Sequence, residues 1–256
     1  MTIIEKRGVV VFLDALGVSK YKQIAEFLKL CENMETLDGE SKYIWAKWKL
    51  QWAQEGVTLP DPEIFTLQDS MFACFPEPDR NIEGTLHNFF VAQSWLMQAM
   101  EMSIAKKLFF RGAISNGQYI MNESEKGIQI LGKPVNDAVE YEKFGDWIGV
   151  IQTPNFHLDY ILAMRTYAKI NHKPISEFEQ DFLRFYVKYD VPLTNKRGNR
   201  EFYVVNWPTM VKKSKAEDEI RTALSEGKRS ADESNKQKYD NTIRFLDFCK
   251  ENGYFL

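Results

Sequence analysis

The sequence predicts an α+β fold, a mainly antiparallel sheet flanked by helices, and two observations carry that expectation. Short apolar runs interrupted by polar turns recur along the chain, as they do where strands are joined in hairpins. Longer stretches with helical spacing of apolar residues lie between them, so hairpins alternate with helices, a pattern that favours antiparallel over parallel pairing. With 256 residues, 44% of them hydrophobic and 14% aromatic, the chain suits one large domain or a domain with an appendage.

The first element is the run GVVVFLDALG, Gly8 to Gly17. Its β-branched residues describe a buried strand that delivers Asp14 to its end. A carboxylate there either caps the helix expected from Ser19 and braces the turn, or ligates a cation. Helical character follows to Trp52, with Trp45, Trp48 and Trp52 at i, i+3 and i+7, the spacing of a core or subunit-interface stripe. Gly56, Pro60 and Pro62 break the pattern. Next comes IFTLQDSMFACF, Ile64 to Phe75, where Asp69 and Ser70 interrupt two β-runs and predict a hairpin turn. Carboxylates at a strand end and a neighbouring hairpin turn make an arrangement that can share divalent cations.

Ile82 to Lys107 reads as one long helix across the sheet. Leu108 to Ile114 reads as a strand, with a turn expected at Asn116-Gly117 and Gln118 to Met121 pairing with Ile128 to Leu131. Gly132 to Phe144 is expected to be helical, Trp147 to Gln152 a strand, and the stretch from Pro154 to about Phe185 helical. Val187 to Leu193 and Glu201 to Val205 predict an added hairpin across the polar turn Asn195 to Asn199. Both signs of charge are interspersed from Val211 onward, as in an amphipathic, solvated helix pair. The expected organisation is a domain over 1–210 and a charged helical appendage over 211–256 packed on it.

Several function classes are excluded. A net charge of −3 argues against nucleic-acid binding by bulk electrostatics. Cys31, Cys74 and Cys249 are odd in number and widely spaced, unlike a disulfide framework or zinc site. The start, MTIIEKRG, lacks an apolar signal-peptide region, and no apolar run approaches the ~18 residues that span a membrane, so a soluble cytoplasmic protein is expected. His87, His157 and His172 lack metal or triad spacing. Gly127 to Lys133 nearly matches a P-loop, but Pro134 stands where Ser or Thr is needed and the intervening residues read as a strand.

The motifs in combination are more specific. Phe12-Leu13-Asp14-Ala15-Leu16-Gly17 resembles the F-x-D-x-x-G signature of class III nucleotidyl cyclases, and Asp69-Ser70 falls where that family carries its second metal aspartate. Arg111-Gly112-Ala113-Ile114 with Gly117 resembles the R-G-x-x-x-G strand, and Gly132, Val135, Asn136 and Ala138 resemble the G-x-x-V-N-x-A helix start. The paired Asp-Ser, the A-x-E-x-E ending at Glu140 and Glu142, and Val191 to Leu193 with Asn206 to Pro208 are similar to the bacterial pyrimidine cyclases of Pycsar anti-phage defence. The resemblance covers roughly Gly8 to Pro208.

The resemblance implies a ferredoxin-like class III core and a reaction that turns UTP or CTP into 3′,5′-cyclic UMP or CMP and pyrophosphate, with UTP preferred slightly. It implies two Mn²⁺ or Mg²⁺ ions per site on Asp14, Asp69 and the Leu13 carbonyl, with nucleotide contacts at Ala15, Leu16, Gly17, Phe65 and Ser70. In the family an Asn and an Arg four residues later stabilise the transition state. Asn136 is present, but Glu140 occupies the Arg position, leaving Arg111 as the nearest substitute; Arg111 equally suits base recognition or an ion pair with Glu140 or Glu142. The resemblance further implies a homodimer with shared sites, and no nucleic-acid or membrane partner. Glu63-Ile64-Phe65-Thr66 carries no base-selecting Lys of the adenylyl kind. The rival readings are a purine cyclase, a catalytically silent nucleotide-binding regulatory domain, and another metal-dependent phosphoryl-transfer enzyme.

Overall fold

Eight strands form one sheet in the computed structural model, which describes residues 2–18, 24–54, 58–78, 81–124, 127–176, 184–194 and 198–255. They are β1 (Thr2–Ala15), β2 (Glu63–Leu67), β3 (Ser70–Pro76), β4 (Phe110–Ser124), β5 (Gly127–Gly132), β6 (Val150–Gln152), β7 (Tyr186–Pro192) and β8 (Asn199–Val205). The order is β2-β3-β1-β4-β6-β8-β7, with β5 beside β4. Every pairing is antiparallel except β4 with β6, which is parallel. The α+β expectation therefore holds.

β1 is apolar through Val9 to Leu13 because it lies inside the sheet, paired with β3 on one side and β4 on the other. Successive side chains point to opposite faces. Val9, Val11, Leu13 and Ala15 enter the main core, whereas Val10 and Phe12 enter two small clusters on the other face. The main core is built on α2 (Ile82–Ala105), whose Ala92, Leu96 and Met100 are fully buried and whose N-cap Asn81 accepts a 2.7 Å hydrogen bond from the Gly84 N–H. α1 (Ile24–Gln54) and α4 (Pro154–Ile170) contribute Leu37, Trp45, Phe156 and Tyr160 to this core. The opposite face carries α3 (Lys133–Glu142), whose Ala138 sits against Phe12 and Ala113.

The last three helices are α5 (Pro208–Ser214), α6 (Glu217–Ser230) and α7 (Glu233–Glu251). Ile220, Leu224, Phe245, Leu246 and Cys249 are buried in the main core. Thr242 Oγ1 accepts the N–H of Ile148 at 2.8 Å, and the Asn206 amide donates to the Tyr254 carbonyl at 2.9 Å.

Four expectations are corrected. Asn116-Gly117 is no turn: β4 runs straight through it, because the full length of β1 offers partners from Thr2↔Glu123 to Ala15↔Phe110. Gly117 absorbs the local distortion at φ +147, a conformation that side chains disfavour. The helix from Pro154 ends at Ile170, followed by His172 at φ +51; residues 177–183 of the stretch expected to be helical lie outside the described residues, and Phe185 lies just before β7. α3 stops at Glu142, and only Val150 to Gln152 of the strand expected from Trp147 is paired. The tryptophan stripe is no correction: of the core and interface readings the structure shows the core one, with Trp45 buried against Phe75, Trp48 packed on the core, and Trp52 meeting His87 and Phe90 of α2. The start of the predicted first helix, Ser19 to Gln23, and most of the turn before β8 lie outside the described residues. Among the described residues no helix is long and apolar enough to cross a membrane.

Candidate functional site

Asp14 continues the parity of Val10 and Phe12, so it emerges on the α3 face at the end of β1. Its cross-strand neighbours are Ser70 of β3 and Arg111 of β4. The Ser70 hydroxyl donates to Asp14 Oδ1 at 3.1 Å, and Arg111 Nη2 lies 3.7 Å from Asp14 Oδ2. Asp69 occupies the β2–β3 turn, where Gln68 takes φ +58. The Ala15 N–H donates to the Asp69 carbonyl at 3.0 Å, which ties this turn to the end of β1. The predicted pair of carboxylates is thus brought together with Ser70 and Arg111.

The electrostatics of this corner are set by burial and charge crowding. Burial raises the Asp14 carboxyl pKa and nearby Asp69 adds to the rise, while the Ser70 hydrogen bond and Arg111 oppose it. A cation would relieve the crowding, and two hard carboxylates fit Mg²⁺ or Mn²⁺. Among the described residues no group of three or more His, Cys, Asp or Glu could enclose a metal. Two carboxylates by themselves would leave an ion's other coordination positions to phosphate oxygens and water.

Arg111 makes a second, closer ion pair, from Nε to Oε1 of Glu142 at the end of α3. Of the two partners weighed from sequence, Glu142 is the one engaged; Glu140 is exposed. Burial pushes the Glu142 carboxyl pKa up to about 6, with Arg111 opposing the rise and Asp14 adding to it. A sequence signal for this role existed: Val135, Ala138 and Glu142 fall at i, i+3 and i+7, on the stripe by which α3 docks.

The other predicted residues lie around this corner. Leu13 points its side chain into the main core, which leaves only its carbonyl for any ligand role. Ala15 ends β1, and Leu16 and Gly17 form the turn beyond it, Gly17 at φ +87. Phe65 stacks on Phe72, which contacts Phe12, so an aromatic row crosses the α3 face from β2 to β1. Asn136 is exposed on α3. Among the described residues no hydrogen bond links it to Asp14 or Arg111.

No protein-family model matches the chain, and no curated protein matches it. Solved structures do. The catalytic core of a rhodopsin-guanylyl cyclase with converted specificity, in complex with ATPαS, is 14% identical over 80% of this chain and 98% of its own, at TM-score 0.48. The non-canonical dimeric guanylyl cyclase domain of the RhoGC fusion protein of the aquatic fungus Blastocladiella emersonii is 13% identical over 80% and 98%, at 0.46. A Trypanosoma brucei adenylate cyclase in its monomeric state is 13% identical over 78% and 88%, at 0.37. All three are purine nucleotide cyclases, not the pyrimidine cyclases that the motifs resemble. With every TM-score below 0.5, these likenesses assign this chain neither a reaction nor a base.

Proposed function

We infer that the chain is a nucleotidyl cyclase that converts a nucleoside triphosphate to a 3′,5′-cyclic monophosphate and pyrophosphate. The observation that carries this reading is the corner of Asp14 and Asp69, tied by the Ala15–Asp69 backbone bond and flanked by Ser70 and Arg111. Asp14 and Asp69, with the Leu13 carbonyl, would hold the cations. Two bound Mg²⁺ or Mn²⁺ ions would lower the pKa of the ribose 3′-hydroxyl and neutralise the triphosphate. The 3′-oxygen then bonds to the α-phosphorus as the bond to pyrophosphate breaks, and the hydroxyl proton leaves to solvent.

The chain's own groups orient this exchange. Ser70 fixes one Asp14 oxygen by its hydrogen bond. Arg111 places a positive charge beside the carboxylates, where charge gathers on phosphate oxygens in the transition state. The exposed position of Asn136 suits a homodimer in which it completes the site of the second subunit. Asp14→Ala and Asn136→Ala subunits, inactive alone, would then recover activity on mixing.

The base is the finer part of the reading. The order of motifs supports UTP or CTP, with the product serving as a second messenger in anti-phage defence. Purine triphosphates are the second reading: the stretch Glu63-Ile64-Phe65-Thr66, without a lysine, weakens the adenine reading. Incubating the protein separately with ATP, GTP, CTP and UTP, with Mn²⁺ or Mg²⁺, and reading products by mass spectrometry beside Asp69→Ala tests both parts. A cyclic pyrimidine monophosphate lost in the variant is expected. A cyclic purine product overturns the base assignment, and no cyclic product from any nucleotide overturns the reaction.

A further inference from the structure

Arg111 has two carboxylates within reach and divides itself unequally between them. Its Nε closes on Glu142, while its Nη2 stays 3.7 Å from Asp14, beyond the ~2.7–2.9 Å of a charge-assisted hydrogen bond. Glu142 is poorly placed for its own charge. Its side chain is 3% exposed, and it ends α3, where the helix dipole disfavours an anion. A buried carboxylate in that position depends on its cationic partner, and removing one member of such a pair is costly.

The guanidinium is therefore in ion-pair contact with the buried carboxylate, though without hydrogen-bond geometry at Nε, and only approaches the half-exposed one. We propose that Glu142 is a positioning residue for the site: it draws Arg111 away from Asp14 and so leaves the Asp14 carboxylate open to a divalent cation. This rests on the reading of Asp14 as a cation ligand. Without the Glu142 charge, Asp14 becomes the remaining anionic partner in reach of Arg111, and an incoming cation has to displace the guanidinium. With it, Arg111 keeps a counter-charge when the cation arrives, and its positive charge stays near the phosphates without competing for the ligand.

The test is Mn²⁺ binding to the full chain without nucleotide, followed by calorimetry, with melting temperatures recorded to establish folding. Glu142→Gln is expected to weaken Mn²⁺ about ten-fold, ~1.4 kcal/mol. The Arg111→Met, Glu142→Gln double variant is expected to recover wild-type affinity, because the competing guanidinium is gone. Unchanged affinity in Glu142→Gln overturns the proposal. So does a double variant as weak as the single one, since the loss would then not run through the Arg111 guanidinium. Should Glu142→Gln fail to fold, Glu142→Asp carries the test: the carboxylate withdraws from Arg111 by one methylene, about three-fold weakening is expected, and no change overturns it. Asp14→Asn separates the underlying reading, since Mn²⁺ binding as tight as in wild type would remove Asp14 as a ligand and the proposal with it.

Discussion

The two faces of the sheet are made by alternate residues of the same strands, yet they treat polar groups in opposite ways. On the α2 face buried polar side chains bond to one another: Gln152 donates to Gln93 at 2.6 Å, and its Oε1 lies 2.9 Å from Nδ1 of His157, whose ring stacks on Tyr203. On the α3 face the apolar clusters are small, and the end of β1 gathers Asp14, Asp69, Arg111 and Glu142 around one serine. Buried polar groups that satisfy one another specify a core. Carboxylates left crowded and half-exposed cost stability and serve where a ligand supplies the missing charge. On the proposed function, stability falls to one face and chemistry to the other.

The largest expected effect breaks the first half of that contrast. Phe245 is fully buried among Trp147, Tyr189 and Trp207, so Phe245→Ala is expected to cost about 3–5 kcal/mol in denaturant unfolding. The second half predicts the opposite behaviour for Asp14→Asn. On the proposed function, cyclase activity should fall by at least about a hundred-fold, ~2.7 kcal/mol. Because the folded-state pKa of Asp14 is raised, its ionised form opposes folding at neutral pH, and the amide should leave the melting temperature unchanged or higher. A marked loss of stability in Asp14→Asn would show that this corner holds the fold together.

A pH-dependent effect sharpens the comparison from the core side. Burial lowers the His157 pKa to about 4 from an ordinary 6.5. Between those values the unfolded chain binds the proton and the folded chain does not. The stability contribution is therefore complete above about pH 6.5 and declines as pH falls towards 4. Urea midpoints measured across that window should fall for the wild type with a slope of at most one proton, and His157→Gln should flatten that part of the slope.

Much of this contrast is legible in the sequence, and the exceptions have physical causes. Asp14 and Asp69 stand out because each interrupts a β-run, a signal local to a few residues. The Asn116-Gly117 dipeptide carries the same kind of local signal for a turn and is overridden, because β1 is long enough to hold β4 extended through it. The partner of Arg111 is a tertiary choice. Glu140 and Glu142 are two residues apart, about 200° around the helix, and only the docking of Ala138 against Phe12 and Ala113 turns Glu142 inward. The helix-stripe spacing of the C-terminal region is visible among its charges, but burial of Phe245 and Cys249 in the main core depends on the β6–β8 pairing that brings distant segments together.

The most direct measurement of the central claim is an anomalous-scattering map from crystals of the protein grown with Mn²⁺ and a non-cyclisable nucleoside triphosphate. The account predicts Mn²⁺ within about 2.1–2.2 Å of carboxylate oxygens of both Asp14 and Asp69, with the triphosphate against the same ions and Arg111 still paired with Glu142. Nucleotide bound elsewhere, or an Asp14–Asp69 corner without metal when nucleotide is present, would contradict it.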